Sequence, residues 1–110
     1  HFIMLGMDVF AALAEPTRRR IVEILADQGQ LPASAIYEQF DSSAPAISQH
    51  LKVLREANIV IVQKQAQKRL YRINADQISE LERWARDTVR QWSNRFDRLD
   101  ELLQKPAGSD

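Results

Sequence analysis

The chain has 110 residues, 45% of them hydrophobic, no cysteine and two histidines, and its 15 basic and 15 acidic side chains cancel to a formal net charge of zero. That length supports one domain with a real core plus an appendage, and the lack of cysteine excludes disulfides, a thiolate metal site and a cysteine nucleophile. With only His1 and His50 available, a catalytic triad or a conventional zinc site has almost nothing to be built from, so neither an enzyme nor a metal or cofactor site is expected.

The opening His1-Phe2-Ile3-Met4-Leu5-Gly6 lacks the basic start and cleavage pattern of a signal peptide, and no apolar run has the length of a membrane span. A soluble, cytoplasmic protein with no membrane partner is expected. Because the chain opens on His and not Met, residues 1–6 are read as a cloning remnant or irregular leader. Asp8 is placed to cap a first helix with Val9, Phe10, Leu13 and Ala14 on its apolar face, ending before Pro16. A second helix starts at Pro16, turns Ile21, Val22, Ile24 and Leu25 inward and stops at Gly29. Arg18, Arg19 and Arg20 point in three directions, which reads either as solvated surface with one phosphate contact or as a DNA patch. Leu31-Pro32 interrupts, and Ala33 to Phe40 forms a short helix with Ala33, Ile36, Tyr37 and Phe40 on one side.

Asp41 and Ser42 make a turn into the stretch from Ser43 to Leu54. There Ile47, Leu51 and Leu54 recur at i, i+4 and i+7 as an apolar stripe, while the remaining surface is small, polar and cationic. Ser42 or Ser43 can cap this helix, and Pro45 falls in the first turn, where no intrahelical N–H bond is lost. A short helix, a turn and this helix have the proportions of a helix-turn-helix, with residues 43–54 as the recognition helix in the major groove. Its base-reading candidates are Ser43, Ala46, Ser48 and Gln49: glutamine can pair bidentately with adenine, serine can contact any base, and alanine permits close approach. His50 reads as a packed, hydrogen-bonded residue in preference to a base reader or ligand, and Lys52 as a phosphate contact.

Glu56-Ala57-Asn58 closes the helix, with Asn58 as a left-handed cap. Ile59-Val60-Ile61-Val62 and Lys68-Arg69-Leu70-Tyr71-Arg72-Ile73 then read as two strands of a hairpin, joined at Ala66-Gln67 by a turn with neither glycine nor asparagine. Residues 43–72 carry Lys52, Arg55, Lys64, Lys68, Arg69 and Arg72 against Glu56 alone. This basic hairpin, residues 60–73, has the makings of a wing that lays Lys64, Lys68, Arg69 and Arg72 along phosphates or into a minor groove. Tyr71 is expected to pack the hairpin on the core, and residues 7–75 to form a winged helix-turn-helix domain.

The last element, residues 76–105, is a single helix starting at Asp76 and running to about Gln104. Ile78, Leu81, Ala85, Thr88, Trp92, Phe96, Leu99 and Leu103 fall on one stripe, reinforced by Trp84, Val89 and Leu102. At a rise of 1.5 Å per residue it spans roughly 40 Å, more than a small winged domain can cover, so part of the stripe is stranded in a monomer. It is read as a dimerisation helix. The interface candidates on it are Leu81, Trp84, Thr88, Trp92, Phe96 and Leu99. Trp84, Trp92 and Phe96 serve either as dimer core or as the lining of a small-molecule pocket between subunits. Residues 106–110 form a tail. The fold class is mostly α with a small β-hairpin: a winged helix-turn-helix with a long C-terminal dimerisation helix.

Two segments carry a family likeness. Phe10-Ala11-Ala12-Leu13-Ala14-Glu15-Pro16-Thr17-Arg18-Arg19-Arg20-Ile21 and Ile47-Ser48-Gln49-His50-Leu51-Lys52-Val53-Leu54-Arg55-Glu56-Ala57-Asn58-Ile59-Val60 stand in the order and at the separation seen in the ArsR-like family of bacterial winged-helix repressors, which the chain resembles over nearly its whole length. The resemblance implies a homodimer, paired through its first and last helices, that represses transcription from double-stranded operator DNA; the last helix then packs with the N-terminal helix, and Val9, Phe10 and Leu13 join the interface candidates. The chain departs from the family at Asn58 and Ala66-Gln67, where glycine is frequent, and at Ala44 and Pro45, where base-contacting residues stand. It also has no cysteine in the helix around Ala33 to Tyr37 and no histidine from Asp76 to Lys105, so it resembles the non-metal-sensing branch, with its effector or partner protein unspecified. The expected function is therefore a dimeric, sequence-specific DNA-binding repressor that does not respond to metal. The alternative is a winged-helix protein–protein interaction module without DNA binding.

Overall fold

The computed structural model describes residues 7–104, with side chains from Val9 onward. The expected leader (1–6), residue 105 and the tail (106–110) lie outside the described residues. The elements in order are α1 (Met7–Ala14), α2 (Pro16–Gln28), β1 (Leu31–Pro32), α3 (Ala33–Tyr37), α4 (Ala44–Glu56), β2 (Val60–Gln65), β3 (Lys68–Ile73) and α5 (Ala75–Gln104). The chain divides into two compact units, residues 1–80 and 81–110, and α5 begins in the first.

Local sequence explains most boundaries. Helix α1 already includes Met7, so Asp8 sits inside its first turn and not ahead of it as a cap. Glu15 is extended (φ −90°, ψ 126°), as a residue before proline must be, and Pro16 opens α2 where its missing N–H is harmless. Gly29 ends α2 at φ 81°, its N–H donating to Leu25 O at 2.8 Å. Helix α3 is shorter than its apolar pattern suggests. Beyond Tyr37, Gln39 N–H donates to Ile36 O and Phe40 N–H to Tyr37 O; these i to i+3 bonds tighten the last turn and end it. Ser43 caps α4, its Oγ accepting from Ala46 N–H at 3.3 Å.

The sheet is three-stranded and antiparallel, in the order β1-β3-β2, where a two-stranded hairpin was expected. Leu31 pairs with Tyr71 and Pro32 with Leu70. Proline is tolerated because β1 is an edge. The hairpin register runs from Val60 opposite Ile73 to Gln65 opposite Lys68, closed by Ala66-Gln67 with Ala66 at φ 55°.

The core of the first unit joins Ile21, Ile24 and Leu25 of α2 to Ile36 of α3, Ile47, Leu51 and Leu54 of α4, and Ile59, Val60 and Tyr71 of the sheet. The α4 stripe expected from its i, i+4, i+7 spacing is thus wholly buried, and Tyr71 does pack the hairpin inward. Among the described residues, no helix is long and apolar enough to cross a membrane.

Candidate nucleic-acid interface

Burying Ile47, Leu51 and Leu54 fixes what α4 shows to solvent. Pro45, Gln49, Lys52 and Glu56 follow at i, i+4, i+7 and i+11 and are all exposed, so they form the ridge opposite the buried stripe. Ala46 and Ser48 flank this ridge and are also exposed. Gln49 and Lys52 therefore project farthest from the core. Ser43 stands at the entering end, where its Oγ accepts the capping bond and its O–H remains a donor.

Helix α4 and the hairpin are tied together by backbone and side-chain hydrogen bonds. Ala57 N–H donates to Val53 O and Ile59 N–H to Leu54 O, with Asn58 between them at φ 61°, the left-handed cap expected there. Asn74, just past β3, donates its side-chain amide to Asn58 O at 2.9 Å and its N–H to Ile59 O. Gln77 is buried and donates to Ala57 O at 3.1 Å. The turn joining α4 to β2 is thus bound from its far side, which fixes the hairpin relative to the helix.

The wing cations do not form one stripe. Lys64 pairs with Arg69 across the strands, on the face that carries Val60, Val62 and Tyr71; Lys68 opposes Gln65 and Arg72 opposes Ile61 on the other face. Between residues 59 and 73 there are four cations and no acid. Lys52, Lys64, Lys68, Arg69 and Arg72 are exposed and have no ion pair among the described residues. Two like charges directly opposite one another weaken a strand pair, and an anion placed against Lys64 and Arg69 relieves that repulsion.

The arginine run of α2 has a role that neither expectation from sequence captured. The last four carbonyls of a helix have no intrahelical partner, and those of α1 are served by side chains from α2. Arg18 Nε donates to Ala12 O at 2.6 Å and Nη2 to Ala11 O at 3.3 Å, while Arg19 Nη1 donates to Leu13 O and Ala14 O. Arg20 pairs with Glu23 on the surface. Arg18 Nη1 also lies 3.3 Å from Nδ1 of His50 on α4, and Glu15 Oε2 is 3.8 Å from the same nitrogen. His50 is packed and hydrogen-bonded, as expected; its partners stand on a different helix corner, far off in the chain, and leave no trace in local sequence. Partial burial pushes the Glu15 carboxyl up, but the Arg18 N–H, His50, the Thr17 N–H and the Arg18 charge together hold it below its ordinary value.

The interface candidates of α1 and α5 differ in exposure. Val9 is only 2% exposed within the chain. Leu13 and Leu81 are half-buried, and Phe10 and Trp84 retain some exposed surface. In the second unit Trp92 is 67% exposed, Phe96 60% and Leu99 55%, joined by Val89, Leu102 and Leu103. Thr88 is exposed and turns its hydroxyl back to Trp84 O at 2.8 Å. The flanks of this helix carry Glu82–Arg86 and Asp87–Arg90 pairs.

Comparison with known proteins bears on this arrangement. A helix-turn-helix domain family matches residues 13–63. The transcriptional repressor SdpR of Bacillus subtilis (strain 168) is 31% identical over 87 residues, covering 79% of this chain and 96% of its own. The crystal structure of an ArsR family transcriptional regulator superposes with a TM-score of 0.73 at 26% identity, over 84% of this chain and 94% of that one. The chain belongs to the ArsR-like family of winged-helix transcriptional regulators. A third likeness, at 24% identity, concerns the fold alone: a homodimeric winged helix-turn-helix DNA-binding domain from Mycobacterium bovis, with a TM-score of 0.62 over 76% of this chain and 77% of that one. The ArsR-like chain is accordingly a DNA-binding transcriptional repressor and not an enzyme.

Proposed function

We propose that this repressor binds operator DNA as a symmetric dimer, with α4 in the major groove and the β2–β3 wing on the phosphate backbone or in a minor groove. The observation that carries the reading is the outward ridge of α4, where Gln49 and Lys52 project opposite a wholly buried stripe and lead by a backbone-bound turn into a hairpin with no acid. Gln49 is the principal base reader, supported by Ser48, Ala46 and the Ser43 hydroxyl, and phosphates are neutralised by Lys52 and by the cations on one face of the wing, either Lys64 with Arg69 or Lys68 with Arg72. A second copy covers the exposed face of α5 through Trp92, Phe96 and Leu99, in line with the homodimeric state of the Mycobacterium bovis domain. A two-fold dimer reads a roughly palindromic site whose half-sites lie about 34 Å apart.

The releasing signal in this reading is not a metal ion. The 110 residues contain no cysteine, and the described residues hold no cluster of histidine and acidic side chains suited to an ion. The repressor acts where its operator is, in the cytoplasm. Selection of bound fragments from genomic DNA by the purified protein tests the whole proposal. A palindromic consensus is expected, and Gln49→Ala should relax base preference at one position of each half-site by roughly 1–3 kcal/mol. Failure to select any consensus sinks the proposal in favour of a protein-interaction module.

A further inference from the structure

We propose that Arg18 is a positioning residue for DNA reading: its guanidinium fastens the recognition helix α4 to the end of α1 through His50, and protonation of His50 Nδ1 releases that fastening. The inference rests on the reading of α4 as the recognition helix.

The argument begins with donors and acceptors. A guanidinium has donors only. Where Arg18 Nη1 meets His50 Nδ1 at 3.3 Å, the ring nitrogen must therefore be the acceptor, which places the imidazole proton on Nε2. The other nitrogens of the same planar group hold Ala12 O and Ala11 O, at 2.6 and 3.3 Å. One rigid fork thus binds two helices at once. Arg19 performs the first half of this task, holding Leu13 O and Ala14 O, and is not joined to α4. The two neighbouring arginines therefore separate capping of α1 from attachment of the reader.

The fastening has two mutually exclusive states. Glu15 Oε2 stands 3.8 Å from the same Nδ1. A proton on that nitrogen makes it a donor, repelled by Arg18 and attracted to Glu15. Among the described residues, these two charged groups, both at the α1–α2 corner, are the ones in contact with His50. Helix α3 carries no charged residue, and the single one of β2, Lys64, stands opposite Arg69. His50 follows Gln49 directly and borders the buried stripe of α4, so a change in the partner of its ring alters how α4 is held about its own axis.

The test measures binding of a labelled duplex, selected from random DNA by the wild-type protein, by Arg18→Lys, Arg19→Gln, His50→Asn and Gln49→Ala, with circular dichroism as a check of folding. Lysine keeps the charge but not the fork, so R18K should lose roughly tenfold in affinity for the selected duplex. Its affinity for unrelated DNA and its salt slope should stay unchanged, because no phosphate contact is removed. R19Q should remain near wild type. In H50N the carboxamide oxygen can replace the ring nitrogen as acceptor and does not titrate. That variant should therefore bind with the acceptor in place and not share the weakening expected of wild type when acidification puts a proton on Nδ1. Unchanged specific binding by folded R18K overturns the inference, as does a salt slope lowered by about one, which marks a phosphate contact. Should R18K fail to fold, the H50N profile decides alone: an acid weakening equal to that of wild type overturns it. If Q49A leaves base preference intact, the recognition-helix reading fails and this inference with it; if Q49A acts and the other variants do not, only this inference falls.

Discussion

Ala66 takes a conformation that its side chain resists. At φ 55° its Cβ crowds the following carbonyl, a strain of about 1–2 kcal/mol that glycine escapes. Glycine in turn loses more backbone freedom on folding, by about 0.4–1 kcal/mol. Ala66→Gly is therefore expected to stabilise the chain by about 0.5–1 kcal/mol, read as a higher urea midpoint at unchanged slope. Gly29, Ser43 and Asn58 were legible as terminators and caps because their residue types announce those conformations. Ala66 announces nothing, and only the hairpin around it reveals the strain. Glu15 is the other residue whose environment matters. Its folded carboxyl lies below the ordinary value of 4.5, held there by the Arg18 N–H and His50 against the opposing effect of burial. Its contribution to stability is thus complete above that value and disappears as pH falls through the lowered one. Glu15→Gln keeps an acceptor for the cap without the charge, so urea midpoints followed downward from about pH 6 should fall less steeply below 4.5 than those of wild type.

At the scale of elements, legibility followed length. The apolar stripe of α4 and the 30 residues of α5 span several turns, so their periodicity stands out. Strand β1 has two residues, one a proline, and shows no alternation to read; it exists because Tyr71 and Leu70 offer it an edge. The wing was legible as a basic hairpin but not as two faces, since the assignment of Lys64 with Arg69 and of Lys68 with Arg72 depends on register. A one-residue slip of β3 would bring Lys68 and Arg72 to the face of Lys64 and turn Arg69 away from it. This division gives a direct comparison. The pair that lies on phosphate should lower the salt slope by roughly 1.8 when both members become alanine, and the other pair should leave it near wild type. Binding isotherms of K64A/R69A and K68A/R72A across a salt series decide which face meets DNA, and slopes unchanged in both would remove the wing from the interface.

For the whole molecule the decisive feature is the uncovered stripe of the second unit. Trp92, Phe96, Leu99, Leu102 and Leu103 are all more than half exposed, and large contiguous apolar patches of this kind mark association surfaces. The ion pairs flanking them are exposed and contribute little by themselves. Trp92→Glu with Phe96→Glu is expected to weaken self-association at least ~100-fold, since each aromatic anchor removed costs on the order of 2 kcal/mol. Sedimentation equilibrium measures this, and an unshifted dimer would place the seam elsewhere. Where monomers predominate, the concentration of dimer rises with the square of protomer concentration. Halving the number of copies in a cell then leaves about a quarter of the operator-competent species. On the proposed dimer and under that condition, the repressor would sense its own abundance, and dilution by growth would itself release the operator.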